Sequence, residues 1–197
     1  MTSPKDNKSN IDELFADLIR AQETSLKNHP STELWNPKKT GDMDLKIDRE
    51  GRWIHEGGEI KRQEIVKLFS AILKFEQGHY FLVTPVEKWQ IHVEIAPFFI
   101  IDATRDIRAT EQAISLTTST DDVIVISKDN PLIMDEEIIQ GETLPLVRVR
   151  KNLMGLISRT IFYQLIEWSD VVSLTNGEKC LLLNSMGQAF SLGKFKE

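Results

Sequence analysis

The sequence predicts an α+β fold of two similar small domains, each with antiparallel strands and one helix, preceded by an N-terminal helix. Three observations carry this. Gly58, Ile60, Arg62 and Leu68 recur in the same order and spacing as Gly155, Ile157, Arg159 and Leu165, and a supersecondary unit used twice is the ordinary source of such an echo. Each copy holds one apolar stripe at helical spacing. Each stripe is followed by short alternating runs with turn residues between them, the pattern of antiparallel strands. The expected division is 1–41 for helix and connector, 42–104 for the first domain and 105–197 for the second.

The elements follow in order. Asn10 and Glu13 form a capping box ahead of Ile11, Leu14, Phe15, Leu18 and Ile19, an amphipathic helix ending near Lys27. The stretch from Asn28 to Gly41, with Pro30 and Pro37, has no period and reads as an extended connector, with Trp35 as its anchor. Asp44 to Asp48 and Arg52 to Glu56 form a hairpin around Glu50-Gly51. Ile65, Leu68, Phe69, Ile72 and Leu73 mark the first helix. Tyr80 to Val83, Trp89 to Ile95 and Phe98 to Ile101 are strands, the second of them with His92 on its wet face.

In the second copy, Ala113 to Thr117, Val123 to Ile126 and Leu144 to Arg150 read as strands, with Asp135, Glu136 and Glu137 as an acidic turn or edge. The second helix is expected over Leu153 to Trp168. Val171 to Leu174, Lys179 to Leu183 and Gln188 to Leu192 then form a meander, joined by Asn176-Gly177 and a loop holding Gly187.

Composition narrows the function classes. A chain of 197 residues with 41% hydrophobic content can bury a sizeable core. Its formal net charge of -6 opposes general binding to nucleic-acid polymers or anionic membranes. The single cysteine, Cys180, cannot form an intramolecular disulfide. Met1 to Asn10 has no apolar leader core, and Phe98 to Ile101 is too short to span a bilayer. A cytoplasmic protein without membrane insertion is expected.

Enzyme signatures are sparse. There is no Walker loop, dinucleotide fingerprint, nucleophile elbow or H-E-x-x-H pair, and the histidines at 29, 55, 79 and 92 are not at metal-ligand spacing. No catalytic residue, metal site or cofactor is assigned. The sharpest electrostatic feature is a basic island of Arg148, Arg150, Lys151 and Arg159, with no acidic residue between Glu142 and Glu167. A cation at a helix N-terminus opposes the helix dipole, so a nearby anion is expected. Asp135, Glu136, Glu137 or Glu142 could supply it as an ion pair, or a phosphate or carboxylate ligand could. Gly57-Gly58 ahead of Lys61 and Arg62 could likewise form an amide nest or simply a tight turn.

The runs Glu50-Gly51-Arg52-Trp53-Ile54-His55, Gly57 to Arg62, Tyr80 to Lys88 and Val93 to Phe98 together resemble a bacterial family, domain of unknown function 1285. The resemblance covers about Trp35 to Gly193. It implies a duplicated two-domain core, a C-terminal half similar to a pleckstrin-homology fold, a ligand site where the domains meet, for a nucleotide-like molecule, and a signalling role. Its motifs single out Trp53, His55, Arg62, Thr84, Glu87, Pro97, Phe98 and Arg159. The chain departs from the family pattern at Glu50, Glu59 and Ile95.

The leading expectation is a ligand-binding or regulatory protein for an anionic, nucleotide-like small molecule. Arg62, Arg148, Arg150 and Arg159 would supply charge, Trp53 and His55 a stacking surface, and Glu87 a further contact. One alternative is a protein-interaction module that docks a partner along an exposed strand of the C-terminal domain. The other is an enzyme using Glu87 and His55 as base and acid.

Overall fold

The computed structural model describes residues 32–108, 111–139, 142–175 and 177–196. The expected N-terminal helix lies outside them. Among the described residues the fold is mostly β, with 57% strand and two α-helices. Its described residues divide into two units, one holding those of Met1–Lys46 and Arg52–Val93, the other those of Ile47–Gly51 and Glu94–Glu197. Each unit contains one α-helix among its described residues. The boundary expected after residue 104 falls inside a single uninterrupted strand, Phe98–Arg108.

The first unit begins with a short 3-10 turn, Thr32–Leu34. Its strands are β1 (Lys39–Ile47), β2 (Trp53–His55), β3 (Gly58–Glu59), β4 (Leu73–Glu76), β5 (His79–Val83) and β6 (Glu87–Val93), in the sheet order β3-β2-β1-β6-β5-β4. Helix α1 (Gln63–Ala71) buries Val66, Leu68 and Phe69, and the Phe69 ring lies 6.1 Å from the buried Trp53 ring. Burying each large side chain contributes roughly 1.5–3 kcal/mol.

The helix stops at Ala71, short of the Ile72 and Leu73 that the apolar stripe suggested. Leu73 pairs instead with Leu82 as the start of β4. The turn that makes this possible is Gln77-Gly78, where both residues have positive φ, at 51 and 82°. Positive φ at both central positions is the type I′ geometry that suits the twist of a two-residue hairpin. Glu56-Gly57, with φ of 47 and 77°, joins β2 to β3 in the same way. Gly57-Gly58 is therefore a hairpin turn followed by a strand rather than a strand-to-helix nest.

The second unit holds β7 (Phe98–Arg108), β8 (Glu111–Thr118), β9 (Val123–Val125), β10 (Leu132–Ile139), β11 (Glu142–Arg150) and β12 (Leu153–Ile157) in the sheet order β10-β11-β12-β7-β8-β9. Within this sheet β12 pairs with β7 in parallel, Gly155 opposite Phe98, while the other pairs are antiparallel. A second, antiparallel sheet has the order β13-β14-β15, from β13 (Asp170–Ser173), β14 (Lys179–Ser185) and β15 (Gln188–Phe195). Ser185 ties the two sheets of this unit together. Its buried hydroxyl donates to the Ile126 carbonyl at 2.7 Å and accepts from the Ile114 amide at 3.0 Å.

Helix α2 covers Arg159–Glu167, not Leu153 to Trp168. Leu153–Ile157 is a central strand, buried on both faces between β11 and β7. A short apolar run of that kind carries no period that separates strand from helix. Gly155 fixes the choice, because a Cβ there would lie 2.9 Å from Val149 Cγ2 and 3.1 Å from Ile100 Cδ1. Ser158 then starts the helix, its hydroxyl accepting from the Ile161 amide at 3.4 Å.

The internal echo is thus a repeated order of helix and three-stranded antiparallel meander, α1 with β4-β5-β6 and α2 with β13-β14-β15. Leu68 and Leu165 are the matching buried leucines. Gly58 and Gly155 match in sequence only, the first exposed in a hairpin and the second closely packed.

Candidate functional site

Several expected ligand contacts are occupied by neighbours within their own unit. Trp53 is 2% exposed and packs as core. Glu87 accepts from Lys39 Nζ at 2.6 Å with one oxygen and from Trp89 Nε1 at 2.8 Å with the other. Burial pushes the Glu87 pKa up, but the hydrogen bonds from Lys39 and Trp89 prevail and hold it below the ordinary carboxylate range. A carboxylate so held is a weak general base. Gly41 makes this cluster possible, since a Cβ there would meet the Trp89 ring at 2.5 Å.

Thr84, buried, accepts from the Glu87 amide at 2.9 Å and closes the turn between β5 and β6. His55 is half-buried, with Nδ1 2.7 Å from the Asp44 carbonyl oxygen. A carbonyl only accepts, so Nδ1 carries the proton.

In the second unit, Arg150 donates to Asp122 at 2.9 Å, with side-chain exposures of 15% and 10%. Its guanidinium carbon lies 4.7 Å from the Phe98 ring centroid. Burial pulls the Arg150 pKa down and the Asp122 carboxylate acts against it. Asp122 also accepts from Thr120 Oγ1 at 3.0 Å, so its second oxygen is engaged.

Arg62, Arg148 and Arg159 are different. Arg62 is exposed at the N-cap of α1, which has no side-chain cap. Arg159 is exposed at the first residue of α2, and Arg148 is half-buried on β11. Arg62 and Arg159 therefore occupy nearly matching positions in the two copies, each at a helix start.

The sequence suggested docking along an exposed strand of the C-terminal domain without saying which one, and β13, at the end of its sheet, is such a strand. Its four residues are all exposed, Val171 at 57% and Val172 at 39%. β14 lies on one side of it, and no other described strand lies on the other.

The ladder fixes which backbone groups face outward. The Leu174 amide donates to the Glu178 carbonyl at 2.7 Å, making that a hydrogen-bonded pair. Hydrogen-bonded and non-hydrogen-bonded pairs alternate in an antiparallel ladder. Val172 opposite Cys180 and Asp170 opposite Leu182 are then hydrogen-bonded pairs, whereas Val171 opposite Leu181 and Ser173 opposite Lys179 are not. The N–H and C=O groups of Val171 and Ser173 consequently point away from the sheet.

Proteins usually blunt such an edge with Pro, Lys or a bulge. Asp170-Val171-Val172-Ser173 has no Pro, Lys or bulge, and is blunted only by its four-residue length and the acidic Asp170 at its start. The signal was present in the sequence, since the strand that opens a meander directly after a helix is by position an edge strand.

Two adjoining family profiles match the chain: domain of unknown function (DUF1285), N-terminal domain, over residues 30–96, and protein of unknown function (DUF1285), C-terminal domain, over residues 97–192. The chain belongs to the DUF1285 family. A DUF1285 family protein from Silicibacter pomeroyi DSS-3, whose crystal structure is at 2.50 Å resolution, is 36% identical. The match covers 89% of this chain and 93% of that one, with a TM-score of 0.76. A DUF1285 family protein from Shewanella baltica OS155 shares the fold at 23% identity, over 64% of this chain and 91% of that one, with a TM-score of 0.50. No curated protein matches the chain. Among the described residues of this DUF1285 protein, no helix is long and apolar enough to cross a membrane, and no group of three or more His, Cys, Asp or Glu could hold a metal.

Proposed function

We propose that this DUF1285 protein is a non-catalytic interaction module with a regulatory role in the cytoplasm, docking an extended polypeptide segment on the free edge of β13. The observation that carries this is the alternation of outward backbone groups at Val171 and Ser173 on a fully exposed strand with no second partner strand among the described residues. Those groups recur about 7 Å apart, a spacing that another β-strand matches. Main-chain pairing would supply affinity, and the exposed valine side chains would supply selectivity. Cys180, buried and unpaired, fits a reducing compartment.

The test is binding of a library of extended peptides to wild type and to Val171→Pro. Proline there removes an outward donor and leaves the ladder to β14 untouched. Peptides that bind wild type and lose at least tenfold affinity for the variant support the reading. A library without binders, or binders indifferent to the proline, would count against it.

A second reading, binding of an anionic small molecule with a signalling role, is favoured by the matching positions of Arg62 and Arg159. Each adds positive charge where the dipole of its own helix is already positive, and Arg148 adds a further cation to the unit that holds Arg159. A ligand at 100 times its dissociation constant adds about 2.7 kcal/mol of stability. A thermal shift with nucleotides that disappears in Arg62→Ala or Arg159→Ala would support it, and no shift with any phosphate compound would remove it.

A further inference from the structure

We propose that the strand which fits the β13 edge is β13 of a second copy of this chain, paired antiparallel across a two-fold axis at Val172. This pairing rests on the strand-addition reading of β13. A two-fold axis perpendicular to a sheet must relate residues on the same face, so the symmetric register is centred on a residue. Outward groups at Val171 and Ser173 leave one centre that uses them all.

With Val172 opposite its own symmetry mate, Val171 of each copy faces Ser173 of the other. Each of those two pairs exchanges two backbone hydrogen bonds, giving four in all. Val172 then meets its mate in the close, non-hydrogen-bonded position, where β-branched pairs stabilise a sheet. Centring on Val171 or Ser173 would pair fewer outward groups.

Charge agrees with the register centred on Val172. Asp170, the one acidic side chain on the strand, falls opposite Leu174 of the second copy and not opposite another carboxyl group. Both exposed valines, at 57% and 39%, lose water in the same step.

The size of the contact sets its strength. Stable dimers bury about 800 Å² per partner, more than a four-residue edge supplies. The association is therefore weak and concentration-dependent, in the micromolar-to-millimolar range, and adjustable by competing strands.

The experiment uses the full chain. Val172→Cys places two thiols across the axis within disulfide reach, whereas the Cα atoms of Val171→Cys would lie beyond the roughly 7 Å limit for a bridge. Under mild oxidation, Val172→Cys is expected to give a covalent dimer, and Val171→Cys and wild type to give none. Wild type also reports any cross-linking by the buried Cys180. Sedimentation velocity should show a concentration-dependent shift for wild type that is lost in Val171→Pro, with Ser173→Pro as a second variant should the first fail to fold.

A monomeric Val172→Cys together with concentration-independent sedimentation overturns the dimer. If peptides still bind wild type in a proline-sensitive manner, the edge reading stands and only its occupant changes. If peptide binding fails as well, both go.

Discussion

Arg150 and Asp122 are joined at 2.9 Å, the guanidinium resting on Phe98, and both side chains are largely buried. The basic island is thus partly an internal structural device. A buried pair broken on one side leaves an uncompensated charge, which destabilises by about 3–5 kcal/mol, while replacing both partners with apolar groups is often neutral. Asp122→Ala should accordingly lower stability to urea by about 3 kcal/mol, and the double variant Asp122→Leu, Arg150→Met by clearly less. Equal losses in the two variants would mean that the pair is not coupled in this way.

Glu87 should make stability depend on acid. Its pKa is lowered in the fold, so its contribution is fully present above the unfolded glutamate value of about 4.3 and is lost as pH falls through the lower folded value. Lys39 is 53% exposed, which limits the effect to about 1 kcal/mol or less. The stability gap between wild type and Glu87→Gln should be flat near neutrality and close below pH about 4. A gap that widens in acid would have the wrong sign.

The two helix starts should respond in opposite directions. Ser158→Ala removes the cap on α2 and is expected to destabilise by about 1 kcal/mol. Arg62→Asp gives α1 the cap it lacks at a residue with suitable extended backbone, φ -76 and ψ 106°, and should stabilise by a similar amount. Thermal or urea unfolding of the two variants checks both signs.

Leu165, fully buried in the second unit, should lose about 2–5 kcal/mol on change to Ala. Tyr163, on the same helix and 58% exposed, should change stability by less than about 0.5 kcal/mol on change to Ser.

Much of this order was legible in the sequence. The stripe of Ile65, Leu68 and Phe69 located α1, and Asn176-Gly177 with its flanking runs located the last meander. Local periodicity failed where a strand was buried on both faces, since Leu153 to Ile157 looks the same as the start of a helix. It failed again at Leu73, where Gln77-Gly78 was the overlooked hairpin signal. The pairings of Lys39 with Glu87 and Arg150 with Asp122 join residues far apart in the chain, and no local pattern encodes them. An exposed strand in the C-terminal domain was foreseen but not assigned to β13, because the outward chemistry of an edge lies in backbone groups that every residue carries.

Amide hydrogen exchange, read residue by residue along β13, tests the central claim most directly. In dilute protein, the Val172 and Leu174 amides, bonded to β14 and its turn, should exchange slowly while those of Val171 and Ser173 exchange fast. On addition of a bound strand, or at high concentration, Val171 and Ser173 should become protected as well. Protection of these two amides in dilute protein, or exchange that no partner or concentration slows, would contradict a free docking edge.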